Sequence, residues 1–87
     1  MEVIVYTLEF CPNCNLLKEF LREMDVKYEE RDLSTAESRT DMIMCGCFQV
    51  EEAPVLRVDD TCYTSGHMFG QGRLDVTLVA RALGGLQ

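Results

Sequence analysis

Long apolar runs are missing from this 87-residue chain, whose clearest ones extend over only a few residues. A bilayer span needs roughly 20, so a membrane-spanning role is not expected. Basic side chains are scarce, 8 Lys and Arg against 15 Asp and Glu, for a net charge of −7. Such a chain repels phosphate backbones, which argues against nucleic-acid binding and favours basic patches on protein partners. Histidine occurs once, at His67, with no ligand partners at metal-site spacing, so a surface loop residue is expected there. Repeats, low-complexity tracts and linkers are absent, and one domain over residues 1–87 is expected. The opening Met1-Glu2-Val3-Ile4-Val5-Tyr6 has no basic segment and no small-residue cleavage site. It reads as a strand and not as a signal peptide, and a cytoplasmic location follows as the default.

What the chain does have is an apolar fraction of 47%, enough for a globular core, and elements with clear periods. Val3 to Tyr6 is a continuous apolar run, as in a strand buried on both faces. Leu17, Phe20, Leu21 and Met24 recur at helical spacing, with Lys18, Glu19, Arg22 and Glu23 on the other face, predicting a helix over 12–24. Val26 to Arg31 is charged enough for an edge strand. Ser34-Thr35-Ala36-Glu37 fits a capping box, opening a second helix that runs to about Cys45 and stops at Gly46. Val55 to Val58 and Thr61 to Thr64 form two strands around an Asp59-Asp60 turn. Leu74, Leu78, Val79, Ala82 and Leu83 predict a last helix, ended by Gly84-Gly85. The order is βαβαββα. It implies an α/β, thioredoxin-like fold: a four-stranded mixed sheet with helices on both faces.

Five cysteines, an odd number, stand in this chain. A framework of structural disulfides is not expected in a reducing compartment. Cys11-Pro12-Asn13-Cys14 follows an apolar strand and opens an amphipathic helix, and this context turns a moderate motif into a redox one. Residues three apart on a helix come within the Cα separation that a disulfide tolerates. Unpaired N–H groups and partial positive charge at the helix start favour thiolate, the attacking species. Pro12 has no N–H to lose there. Cys14, one turn inside, is expected to be the buried thiol that resolves the mixed disulfide formed by Cys11.

With Val5-Tyr6-Thr7, Cys11-Pro12-Asn13-Cys14 and Ala53-Pro54-Val55, the chain resembles the glutaredoxin family over nearly its whole length. The resemblance implies a catalytic Cys11–Cys14 dithiol that cycles through a disulfide, and a cis Pro54 facing it. Ala53 would then offer its backbone to substrate in strand-like pairing, with Pro12 and Asn13 also at the substrate site. The activity implied is reduction of protein or low-molecular-weight disulfides by a monomer without a tightly bound cofactor or metal. The reductant implied is thioredoxin reductase or the glutathione system.

The chain departs from the glutathione-using pattern. No Lys stands in Thr7-Leu8-Glu9-Phe10, and Ser65-Gly66-His67-Met68-Phe69-Gly70 lacks the family's Gly-Gly and Asp grip. Glu9, Glu51 and Glu52 would repel the carboxylates of glutathione, unless Arg39, Arg57 or Arg73 replaces the missing Lys. Ser65-Gly66 is similar to the redoxins that serve ribonucleotide reductase. Cys45-Gly46-Cys47 reads either as two small apolar side chains at a helix end or as a second thiol pair. In the alternative function, Cys11 joins Cys45 or Cys47 around zinc or an iron–sulfur cluster. Cys62 and the Met42, Ile43, Met44 cluster read as core.

Overall fold

The computed structural model describes residues 2–38, 40 and 53–84. Its main sheet has four strands in the order β2-β1-β3-β4. They are β1 (Val3–Thr7), β2 (Glu29–Asp32), β3 (Val55–Val58) and β4 (Thr61–Tyr63). β1 pairs parallel with β2 and antiparallel with β3, and β3 pairs antiparallel with β4. All five residues of β1 are buried, which is why its sequence is apolar without alternation. Its Val3 and Val5 join Leu56 and Val58 under helix α1 (Pro12–Glu23), through Leu17 and Leu21, and under the last helix, through Val79 and Leu83. Ile4, Tyr6 and Val55 form a second cluster with Leu33, against which Ala53 and Cys62 pack.

α1 ends one residue before the expected Met24, which is its C-cap. Asp25 takes the left-handed conformation, with φ of 57°. The Asp25 N–H donates to the Arg22 carbonyl and the Val26 N–H to that of Leu21, the bond pair that closes a Schellman turn. Val26 and Tyr28 leave this turn packed on the core before sheet pairing begins. The edge strand is therefore Glu29–Asp32 and not Val26–Arg31.

The next helix is described at residues 36–38 and 40. Its cap is a correction. The Ser38 N–H donates to Thr35 Oγ1 at 3.2 Å, whereas Ser34 sits in a turn with its N–H on Asp32 Oδ1 at 2.8 Å. Thr35 thus fills the role expected of Ser34. The helix end expected at Cys45 and Gly46, and the Met42, Ile43, Met44 cluster, lie outside the described residues.

After β4 come two elements that the sequence does not predict. Helix α2 (Ser65–Met68) leads into a hairpin of β5 (Phe69–Gly70) and β6 (Arg73–Leu74). Gln71 and Gly72 form its two-residue turn, both at positive φ, 54° and 75°, as a type I′ turn requires. The expected last helix starts later than Leu74, which pairs with Phe69 in the hairpin. Helix α3 (Val76–Ala82) is capped by Asp75, whose Oδ1 accepts from the Leu78 N–H at 3.0 Å. Gly84, at φ of 70°, follows its end as expected. No described helix is long and apolar enough to cross a membrane.

Two outcomes check this packing. Leu21→Ala, at a fully buried site, should cost about 2–5 kcal/mol in urea unfolding of the reduced protein; a loss below about 1 kcal/mol would contradict it. Asp25→Gly should stabilise by roughly 0.5–1 kcal/mol, because glycine adopts positive φ without penalty. An unchanged or lower melting temperature would argue against the left-handed turn.

Candidate active site

The loop leaving β1 delivers Cys11 to the start of α1. Cys11 is the N-cap, with extended backbone, and Pro12 is the first helical residue. The Cys14 N–H donates to Cys11 Sγ at 3.1 Å, so a backbone group of the helix terminus points at the sulfur. The two cysteines form a disulfide across a Cα separation of 5.3 Å, within the range the bond tolerates. Cys11 is half-buried, whereas Cys14 is only 2% exposed. Exposure therefore differs between the two residues in the direction expected from helix position.

Pro12 is exposed and Asn13 half-buried on the first turn beside them. The Ala53–Pro54 bond is cis, as the resemblance implies, and Pro54 is buried. The carbonyl oxygen of Ala53 lies 3.6 Å from Cys11 Sγ. Residues 42 apart in sequence thus meet at one sulfur. The residues expected at the site and described here, Cys11, Pro12, Asn13, Cys14, Ala53 and Pro54, all belong to these two segments.

Cys45 and Cys47, the expected second thiol pair, lie outside the described residues, as do Arg39, Glu51 and Glu52. Cys62 packs on the second cluster as expected. Among the described residues no group of three His, Cys, Asp or Glu is placed to hold a metal ion. His67 stands in α2 and not in a loop. It is exposed, and its Nδ1 accepts from the Thr64 N–H at 3.3 Å.

A cleft of about 850 Å³ opens beside the cysteines, lined in part by Glu9, Lys18, Glu30 and Asp32. Of these four, the sequence points only to Glu9. Lys18 Nζ reaches Glu30 Oε2 at 3.2 Å, and the buried Thr7 donates its hydroxyl to the same oxygen at 2.9 Å. The Thr7 hydrogen bond holds the Glu30 carboxyl below its ordinary value of 4.5, helped by Lys18 and opposed by partial desolvation. Asp32 is also held low, by the N–H and hydroxyl of Ser34. Both are carboxylates near neutral pH. The cleft is acidic, and its one base among the described residues is already paired.

Arg57 does not take the place of the missing Lys. Its Nε donates to the Asp59 carbonyl at 2.9 Å, and its guanidinium lies 3.9 Å from Glu2. Arg73 stands in the β5–β6 hairpin. The Thr7–Lys18–Glu30 group escapes a sequence reading because it joins three elements. The one local signal is that Lys18 follows Cys14 by four residues and so shares its helix face.

Comparison with known proteins agrees with this geometry. No curated protein sequence matches the chain. Among solved structures, the thioredoxin-like protein BC3987 superposes with a TM-score of 0.68 at 21% identity, covering 93% of this chain and 99% of that one. A point mutant of the same protein gives 0.69 at 21% identity, with coverage of 94% and 99%. The glutaredoxin-like protein NrdH-redoxin from Escherichia coli gives 0.59 at 17% identity, with coverage of 74% and 82%. These likenesses establish the thioredoxin-like fold. The glutaredoxin family model matches residues 3–63. That span runs from β1 through both cysteines to the β3–β4 hairpin, and the chain accordingly belongs to the glutaredoxin family of thiol–disulfide oxidoreductases.

Proposed function

We propose that this chain reduces protein or low-molecular-weight disulfides through Cys11 and Cys14, and that a protein reductase, thioredoxin reductase by class, returns it to the dithiol. The observation that carries this reading is the asymmetry of the pair. Cys11 is half-buried and its Sγ receives the Cys14 N–H at 3.1 Å, whereas Cys14 is only 2% exposed. In the reduced chain the Cys11 thiolate attacks one sulfur of the substrate disulfide. A mixed disulfide forms and one substrate sulfur leaves as thiolate. Cys14 then gives up its proton and attacks the Cys11 sulfur, releasing the second substrate thiol. The oxidised Cys11–Cys14 pair needs two electrons from the reductant. Extended substrate pairs with the backbone at Ala53, next to Pro54, and meets Pro12 and Asn13 on the helix turn. A monomer in the reducing cytoplasm suits this cycle.

Glutathione is the weaker reductant in this reading. Its two carboxylates would meet Glu9, Glu30 and Asp32, with Lys18 already engaged by Glu30. Each unmatched contact at such an exposed site costs on the order of 0.5–1 kcal/mol. Two of them weaken binding by about tenfold. A protein reductase can meet the same acids with its own Lys and Arg.

Cys11→Ser should abolish disulfide reduction, while Cys14→Ser should still hold targets as mixed disulfides on Cys11. Retained turnover in Cys11→Ser would reject the assignment. Turnover with thioredoxin reductase should exceed turnover with glutathione and its reductase at equal electron supply. Efficient glutathione turnover that is insensitive to salt would sink the preference and leave the dithiol chemistry standing.

A further inference from the structure

Four large apolar side chains are exposed among the described residues: Leu8 at 38%, Phe10 at 99%, Leu16 at 41% and Val76 at 47%. Isolated exposed apolar residues are ordinary. Here three of the four flank one disulfide. Leu8 and Phe10 lie on the loop before Cys11, and Leu16 lies on the first turns of α1 after Cys14. Phe10 is also in the left-handed region, at φ of 56°, where a bulky side chain is an outlier. The backbone is strained there, and the ring it holds outward has almost its whole surface in water. The fold gains nothing from that ring. Burial elsewhere does not explain it, and a turn requirement alone would be met better by glycine.

The charge beside this rim is acidic on balance. Glu9 adjoins Phe10 in sequence, Glu30 and Asp32 line the same cleft, and the base there, Lys18, is paired with Glu30. We propose that Phe10 is the docking anchor for a substrate polypeptide with an apolar residue beside its reactive disulfide and Lys or Arg around it. This deepens the oxidoreductase reading and rests on it. Leu8, which lines the same cleft as Phe10, extends the apolar rim, and the acids steer the cationic segment to it. Aromatic side chains are favoured as such anchors because they cover much area with few rotatable bonds. Phe10 directly precedes Cys11, so a segment seated on its ring brings its disulfide to the attacking sulfur. A small disulfide has no side chain to seat there and does not use the anchor.

The test compares the wild-type chain with Phe10→Ala, Phe10→Gly and Phe10→Tyr on hydroxyethyl disulfide and on synthetic peptides closed by one disulfide. One peptide carries Leu beside a cysteine and two flanking Lys; the others replace Lys by Glu or Leu by Ser. Wild type should prefer the Leu/Lys peptide by about tenfold in kcat/KM at low salt. Phe10→Ala and Phe10→Gly should each lose about tenfold on that peptide, through KM, with less than about a twofold change on hydroxyethyl disulfide. Phe10→Tyr should retain the preference. Equal losses on both substrates, no loss on the peptide, or a loss in Phe10→Ala that Phe10→Gly restores would overturn the anchor. So would a wild-type dimer in sedimentation that Phe10→Ala dissociates, because a second copy would then cover the ring. A wild-type chain that cannot reduce hydroxyethyl disulfide would remove the oxidoreductase reading itself, and the anchor with it.

Discussion

Strand β1 has to be apolar toward both sides, because it is an inner strand of the sheet with a packed cluster on each face. Val3 and Val5 meet α1 and α3, while Ile4 and Tyr6 meet Leu33 and Val55. Its pairing with β2 on one side and β3 on the other fixes the register of both. The end of β1 then sets where α1 begins, and the start of β3 sets where Pro54 stands. Cys11 and Ala53 come together because each leaves the sheet at neighbouring ends of paired strands, Tyr6 lying opposite Val55. The site is a consequence of this pairing more than of any contact within the loop.

Two electrostatic features act on the pair from different directions. The helix start presents backbone N–H groups to the Cys11 sulfur, a fixed polarity that needs no charged side chain. No acidic residue occupies the first turn of α1 to claim that role. The cleft alongside is acidic, with Glu30 and Asp32 kept ionised by hydrogen bonds from Thr7 and Ser34. The first feature concerns the reacting sulfur. In the proposed function the second bears on which molecules approach it, favouring cationic polypeptides over small anions.

Much of this is legible in the sequence, for reasons that differ by element. Val3 to Tyr6 is an unbroken apolar run, the Leu17, Phe20, Leu21 series has a clear helical period, and Cys11 to Cys14 fall between them. Short elements are not legible. The two-residue strands Phe69–Gly70 and Arg73–Leu74 carry no period, and Gln71-Gly72 is not the Asn-Gly pair that announces a type I′ turn. Leu74 reads as part of the last helix because its spacing to Leu78 suits a helix face; the Asp75 cap, bonded to the Leu78 N–H, begins the helix after it. Asp25 takes a glycine's place in the turn after α1, so the sequence places the start of β2 too early. Ser34 and Thr35 are both good caps, and only the hydrogen bond to Ser38 separates them. The Thr7, Lys18 and Glu30 group depends on the parallel register of β1 with β2, which no local pattern contains. The left-handed Phe10 is invisible in sequence, since nothing in Glu9-Phe10-Cys11 marks a positive φ.

The proposed chemistry turns on Cys11, and not Cys14, being the attacking sulfur, a reading supported by the place of Cys11 at the start of α1. Its most direct test is competitive alkylation of the fully reduced chain near neutral pH with a limiting amount of iodoacetamide, resolved cysteine by cysteine in the mass spectrometer. Cys11 should be modified about tenfold or more faster than Cys14. Equal rates at the two positions, or earlier modification of Cys14, would contradict it.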